Sequence, residues 1–480
     1  MIDGYNGSTI IILNIIMKII HDPLYQDIRM SDVAIQIINT PLYERLNYVR
    51  QTSMAYRVFP SATHTRKTHQ IGVYGLAKKT LDTLILRRHL VVTSTNAANE
   101  YTTLDTSTDS VDALVSDDIR DDVRRDVRPL SPKQMTEWVY TGNKPTITSE
   151  EYEWICIGGL VHDLGHGPSS HSFDDLVEEF VEHGQVSSDS EWVTHERRGQ
   201  YLFRHLVKQY AINLSPYAVD YICQVIDPSD EYIHDFRFQL INNKVSGIDL
   251  DKMDYIKRDN YEFGLCCSID IDRIITNSGI HCQIRNAVNT ESYTAESALY
   301  GSGRDIMSLC GPLSDVGTYW SFCDRICGDI FNLFMVRYRL YKEIYNHPKV
   351  IKFELAYLDL LKDQGEAICE TINRMDVDRF SEMTDESMLW TASKLARDRF
   401  HERGTYRLIE NSRTGPVTDQ FQVRRTVGFF GKNGFNPFKH IRFYDRKSGK
   451  IIHKNLSEIS VFLNGNNTCE NLVFDFKRTV

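Results

Sequence analysis

Three histidines and two aspartates fall within the thirteen residues from His162 to Asp174. They follow an apolar run, Trp154 to Val161, that reads as a buried helix, and Gly165, Gly167 and Pro168 then stop it. An imidazole next to a carboxylate at the end of such a helix can grip one metal ion from two sides. The four-residue spacing places His166 one turn beyond His162, on the same face. A metal needs further donors from elsewhere in the chain. Two segments offer them: Thr63-His-Thr-Arg-Lys-Thr-His69 and Gly247-Ile-Asp-Leu-Asp-Lys-Met-Asp-Tyr255.

His69, His162, Asp163 and Asp251 then form the ordered H…HD…D set of an HD-domain phosphohydrolase. Other stretches narrow the likeness: His21 to Tyr25, Asn39 to Gln51, Val58 to His64, Trp192 to Glu196, Gly247 to Asp259, and Asn436 to Tyr444. With them the chain resembles the deoxynucleoside triphosphate triphosphohydrolases of the HD superfamily, particularly the animal type that combines sterile-alpha-motif and HD domains. The resemblance runs from about Lys18 to the C-terminus. The seventeen residues ahead of it leave no room for a sterile-alpha-motif domain.

Two imidazoles and two carboxylates suit iron, manganese or zinc, with open positions for water and a phosphate oxygen. Such an ion lowers the pKa of bound water and polarises a phosphoryl group, so hydrolysis of a phosphoester or phosphoanhydride is the natural reaction class. The resemblance implies more. Arg66, Lys252, Arg337 and Tyr255 match residues that hold the substrate phosphates, with Mg2+ accompanying the nucleotide. His171, Asp174 and His195 match the catalytic group at the scissile phosphate, His171 as general acid oriented by Asp174 and helped by His195. His166 matches a motif position near the phosphates. Gln51 and Asp259 match residues that bind the sugar 3′-hydroxyl, and Tyr345 the aromatic that leaves no room for a 2′-hydroxyl. The activity implied is release of inorganic triphosphate from dNTPs. Another HD phosphohydrolase, or a non-catalytic nucleotide-sensing or nucleic-acid-binding scaffold, are the alternatives.

The animal relatives assemble as tetramers when nucleotides bind between subunits, so a dimer or tetramer is implied here. Lys18 and Ile19 match positions that meet the activators, and Arg273, Arg403 and Arg407 approximate the basic phosphate contacts. The guanine-reading positions differ, with Asn39 for an aspartate, Glu44 for a glutamine and Asn47 for an arginine. A carboxamide offers one acceptor oxygen where a carboxylate offers two.

The elements that position these residues are mostly helical. The fold class expected is mainly α, an HD helical core with a small mixed α/β C-terminal lobe. The divisions expected are 1–92 and 150–400 for the core, 93–149 for a surface insertion and 401–480 for the lobe. Residues 18–90 read as a short strand pair followed by helices, with Leu42, Leu46 and Val49 at helical spacing. Ile10 to Ile20 reads as an early strand. Residues 93–149 are rich in Thr, Ser, Asn and Asp and carry an alternating charge run, Asp117 to Arg128. A second irregular stretch runs from Asn286 to Gly317, and Ile326 to Tyr345 reads as one long aromatic-rich helix. Alternating patterns at Thr426–Phe430, Ile441–Tyr444 and Leu472–Phe476 read as strands.

Of 480 residues, 41% are hydrophobic, ample for a sizeable core, and the formal charge of −10 argues against a dedicated nucleic-acid binder. The ten cysteines include no Cys-x-x-Cys pair, which fits a reducing, intracellular setting, cytoplasmic or nuclear. Cys323 and Cys327 are spaced for one helix face and read as buried thiols. No stretch reads as a transmembrane segment.

Overall fold

The Arg66–Leu86 helix packs along the Ser149–Val161 helix, and the Leu250–Glu262 helix lies against the first of them. These three carry or abut every residue expected to bind metal. The computed structural model describes residues 18–93, 145–284, 316–402, 405–408, 420–429, 436–452, 454, 456–459 and 469–478. The expected early strand from Ile10, most of the 93–149 insertion and nearly all of the Asn286–Gly317 stretch fall outside these residues.

The buried run at Trp154–Val161 begins further upstream than its apolar pattern suggested. Thr148 accepts a hydrogen bond from the Glu151 amide at 3.1 Å, and Glu151 accepts one from the Thr148 amide at 2.9 Å. This reciprocal cap starts the helix at Ser149. Ile155, Ile157, Leu160 and Val161 are then fully buried. Each such side chain stabilises the fold by about 1.5–3 kcal/mol relative to exposure. Leu42, Leu46 and Val49 are all buried as expected, but on a short helix, Pro41–Glu44, that tightens into a 3₁₀ turn over Arg45–Tyr48.

Strand β1 (Ile19–Asp22) pairs antiparallel with β2 (Gln26–Arg29). Strand β3 (Val91–Thr93) pairs parallel with β4 (Thr146–Thr148). Strands β5 (Ser278–Ile284) and β6 (Val316–Cys323) pair antiparallel, a hairpin arm the irregular composition did not announce. Cys323 therefore ends a strand and Cys327 opens a helix; both are buried free thiols but share no helix face. The helix Cys327–Arg339 runs on through a π-helical turn, Leu340–Tyr345, close to the long element expected.

Strands β7 (Tyr406–Leu408), β8 (Gln420–Gly428) and β11 (Cys469–Arg478) make a separate C-terminal sheet in the order β7-β11-β8. Strands β9 (Phe443–Tyr444) and β10 (Ile451–Ile452) join the β5–β6 pair instead, with β9 parallel to β6. Part of the C-terminal stretch thus builds directly onto the helical core. The fold is mainly α with a small mixed sheet region. Among the described residues, no helix is long and apolar enough to cross a membrane.

Candidate active site

Four side chains from three separate segments meet beside the Ser149–Val161 helix end. His69 lies in the first turn of the Arg66–Leu86 helix, His162 and Asp163 follow Val161 directly, and Asp251 is the second residue of the Leu250–Glu262 helix. His69 Nε2 lies 3.3 Å from His162 Nε2, 3.0 Å from Asp251 Oδ1 and 3.5 Å from Asp163 Oδ2. His162 Nε2 lies 3.6 Å from Asp163 Oδ1 and 3.6 Å from Asp251 Oδ1.

The far side of each imidazole fixes its tautomer. His162 Nδ1 faces the Gly159 carbonyl at 2.9 Å, and a carbonyl can only accept, so the proton sits on Nδ1. His69 Nδ1 faces Asp254 Oδ2 at 2.7 Å. Both Nε2 atoms then face each other and two carboxylates, an arrangement that a proton on Nε2 or a shared cation relieves. Ligands about 2.0–2.2 Å from one ion sit roughly 3–3.5 Å apart, and the observed spacings match. The donor set fits one divalent transition metal. Burial lowers the His69 pKa, but its bonds to Asp251 and Asp254 outweigh burial and push it up to about 10. Burial raises the Asp251 pKa, and the two histidines more than reverse this.

Asp254 is itself gripped by Arg258 Nε at 2.9 Å, and Arg258 reaches Asp22 at 2.9 Å, all fully buried. Gly72, one turn beyond His69, makes room for this pair. A Cβ there would collide with Asp254 Oδ1 and the Arg258 guanidinium.

The expected placing of His166 on the face of His162 does not hold. The helix stops at Val161, and His166 lies in the following loop, its ring stacked on His195 with centroids 4.0 Å apart. Beyond the helix end, Gly165 lies against the His195–Gln209 helix, where a Cβ would strike the His195 carbonyl and the Gly199 backbone. Arg45, buried under this loop, donates to the carbonyls of Leu164 at 3.2 Å and His166 at 2.5 Å.

His166, His171, Asp174 and His195 form a second cluster, with donor atoms all within 4.8 Å of one another. Asp174 does not orient His171 as expected. Its oxygens take His195 Nδ1 at 2.6 Å and Arg198 at 2.6 Å. Burial lowers the His195 pKa, but the Asp174 bond outweighs it and the net shift is upward. His171 has no such partner, and burial, then Arg66 and His195, hold it down at about 4.

Arg66 ties the first cluster to the turn that precedes His171. It donates to Asp163 Oδ2 at 2.5 Å and to Ser170 Oγ at 3.0 Å, and its guanidinium lies 3.4 Å from the Gln51 carbonyl. Ser169 and Ser170 have φ of 63° and 55°, a left-handed region that costs a side-chain-bearing residue roughly 1–2 kcal/mol. Lys252 pairs with Asp249 at 2.8 Å, and Arg337 Nε donates to the Tyr255 hydroxyl oxygen at 3.1 Å. Tyr345 donates to Asp259 Oδ2, and His64 Nε2 sits 2.7 Å from Asp259 Oδ1. The Gln51 side-chain oxygen is buried with no hydrogen-bond partner.

The residues matched to activator binding only partly gather. Lys18 donates to Asn39 at 3.2 Å, and Glu44 pairs with Lys67 and accepts from Asn47 at 2.5 Å. Ile19 is exposed on β1, Arg273 pairs with Asp329 at 3.0 Å on another surface, and Arg407 is exposed on β7. Arg403 lies outside the described residues.

No family model matches the chain. It is 27% identical over 368 residues to an HD domain-containing protein of Acanthamoeba polyphaga mimivirus, covering 76% of this chain and 62% of that one. It is 25% identical over 355 residues to the human deoxynucleoside triphosphate triphosphohydrolase SAMHD1, covering 69% and 42%, and 28% identical over 309 residues to the cattle protein, covering 58% and 42%. The chain is thus similar, at low identity, to an HD domain-containing protein and to deoxynucleoside triphosphate triphosphohydrolases. The matches span between about two fifths and three fifths of the length of these relatives.

Several residues that complete this HD site went unmarked in the sequence reading: Asp254, Arg258, Arg198, His64 and Ser170. Three of them carried a local signal. Asp254 and Arg258 have the i,i+4 spacing of a helical ion pair, and Arg198 follows His195 by three.

Proposed function

We propose that the chain hydrolyses dNTPs to deoxynucleoside and inorganic triphosphate, and so acts on cellular dNTP pools. The observation that carries this reading is the gathering of His69, His162, Asp163 and Asp251, with Asp163 3.2 Å from His166 of a second imidazole–carboxylate cluster. A metal-only site would need the first group alone. Phosphoryl cleavage also needs a proton donor nearby but off the metal, and the second cluster supplies one.

The four donors would hold iron, manganese or zinc, which supplies an activated water and charge stabilisation at the phosphoryl group. Arg66 turns from Asp163 to the α-phosphate as substrate enters, while Lys252 and Arg337 take the outer phosphates, accompanied by Mg2+. His195, whose pKa the Asp174 carboxylate raises, is the proton reserve. His171 is neutral in the empty site, and the arriving polyanion offsets the positive charge of Arg66 and His195 that depresses it. It then accepts a proton and delivers it to the departing 5′ oxygen. Tyr345 and Asp259 form the floor of the sugar site, with Gln51 offering its unpaired oxygen.

Nucleotides also serve as regulators in this reading, and subunits assemble as a dimer or tetramer. Because Lys18–Asn39 and Lys67–Glu44–Asn47 are paired among themselves, strict dependence on guanine is weakened.

The test is an anaerobic assay of the purified chain with each dNTP, with products separated. Deoxynucleoside and triphosphate in one step are expected. Formation of dNMP and pyrophosphate, or stepwise loss of phosphate, would refute the assignment.

A further inference from the structure

A buried carboxylate far from both clusters in sequence holds the backbone that joins them. Asp385, the first residue of the Asp385–Thr391 helix, turns its side chain inward, where it is 6% exposed. Its Oδ1 accepts the Ser169 amide at 2.5 Å and its Oδ2 accepts the Arg50 amide at 2.7 Å. Both partners are backbone groups of the site's framework.

The Ser169 amide belongs to the strained turn. With φ at 63° and 55°, Ser169 and Ser170 occupy a conformation that serine adopts only when its surroundings enforce it. The turn delivers the chain into the helix that starts at His171. It also aims the Ser170 hydroxyl, which donates to the Arg50 carbonyl at 2.7 Å and accepts from Arg66 Nε at 3.0 Å. Ser53 Oγ supports the Ser169 side chain at 2.5 Å. The Arg50 amide belongs to the segment opposite: Arg50 bridges to Thr65, and the Val49 carbonyl accepts the Arg66 amide at 2.9 Å. One carboxylate therefore pins the turn that starts the His171 helix and the segment that places Arg66.

We propose that Asp385 is a positioning residue for the reaction, resting on the phosphohydrolase reading above. It holds the Ser169–Ser170 turn in its left-handed form so that Ser170 orients Arg66 and the His171 imidazole stays in register with the metal donors. It touches neither substrate nor metal ligand. The neighbouring ion pair, Arg50 with Glu386 at 2.9 Å, braces the same contact from outside.

The test compares wild type, Asp385→Asn and the double variant Asp385→Asn with Ser169→Gly. Asparagine keeps the shape but turns an amino group toward one of the two backbone amides, so one hydrogen bond is lost. The expected result is a fall in kcat of about ten- to a hundredfold with KM within about twofold, since small misplacements of reacting groups cost rate. Bound metal per chain stays at the wild-type level, and amide exchange over 165–172 accelerates. Glycine at 169 tolerates φ near 63° unaided, so the double variant regains part of the rate. A wild-type kcat in Asp385→Asn with unchanged exchange, or no recovery in the double variant, overturns the proposal. If Asp385→Asn does not fold, Ser170→Ala decides: lost turnover with retained metal supports the proposal, and wild-type turnover refutes it. If wild type itself has no phosphohydrolase activity, the functional reading fails. The exchange comparison then stands alone: acceleration over 165–172 supports the turn-holding role and unchanged exchange refutes it.

Discussion

Asp254 Oδ2 lies 2.7 Å from His69 Nδ1, and the same carboxylate is held from behind by Arg258. The pair fixes which imidazole nitrogen faces the other donors and raises its basicity. Asp254→Asn should therefore weaken metal retention by about 10- to 100-fold. Competition against a chelator, followed by metal analysis, measures this. Retention equal to wild type would separate Asp254 from metal binding.

The two clusters should come apart under mutation. His162→Ala or Asp163→Ala should remove bound metal and activity together. His171→Ala should keep the metal yet lose about 10²–10⁴-fold in turnover, the usual contribution of a positioned acid. Full metal occupancy in Asp163→Ala would show that the donor assignment is wrong.

The pH dependence follows from the Asp174–His195 bond. Burial lowers the His195 pKa, and the Asp174 carboxylate more than compensates by favouring the imidazolium. A raised folded-state pKa means that this group stabilises the fold below its unfolded pKa and that the contribution fades as pH rises through the folded value. Asp174→Asn removes the compensation, so His195 loses its proton at lower pH. The alkaline limb of the kcat/KM profile should move to lower pH in Asp174→Asn, as measured by initial rates across pH. An unmoved limb would exclude His195 as the proton reserve.

Sugar selectivity tests the Tyr345–Asp259 floor. Tyr345 donates to Asp259 while His64 occupies the other carboxylate oxygen, so the ring is held in place rather than free to swing. Ribonucleotides should be poor substrates, and Tyr345→Ala should narrow the gap between GTP and dGTP. Equal rates for GTP and dGTP in the wild type would rule out Tyr345 as the gate.

Activation should be permissive. Glu44 is already paired with Lys67 and Asn47, and Asn39 with Lys18, so reading guanine would require breaking contacts this chain makes internally. Assembly and dTTP hydrolysis should proceed with dATP, or without activator, to a measurable fraction of the level with GTP, as followed by light scattering and product analysis. A chain that stays monomeric and inactive until GTP alone is added would contradict this.

The helical class was legible, and so was the gathering of the four residues read as metal donors, because each sits in a recognisable local pattern. His162-Asp163 ends an apolar run, and His69 and Asp251 open helices. What sequence concealed was the partner across space. Asp385 is 216 residues from Ser169, and nothing near it distinguishes it from an ordinary helix-starting aspartate. His166 was misplaced because the four-residue spacing was read as continued helix, whereas the chain turns away at Val161 to let Gly165 reach the next helix. Asp174 was assigned to His171 by the resemblance, whereas its oxygens meet His195 and Arg198. Helical periodicity shows which residues share a face, and the choice between His171 and His195 depends on how two helices cross.

The parallel pairing of β3 and β4 bears on how this chain can vary. Val91 registers with Thr146 and Thr93 with Thr148, so the chain leaves the core and re-enters it only one short strand apart. Among the described residues, the two ends of the intervening segment lie side by side, as the posts of a doorway. Lengthening a connection raises its closure cost only logarithmically, about 0.6 kcal/mol for each doubling. The stretch between these strands is thus a place where a lineage can add or trim sequence, or an experimenter attach a fluorescent reporter, with the catalytic geometry left to the helices on the other side of the doorway.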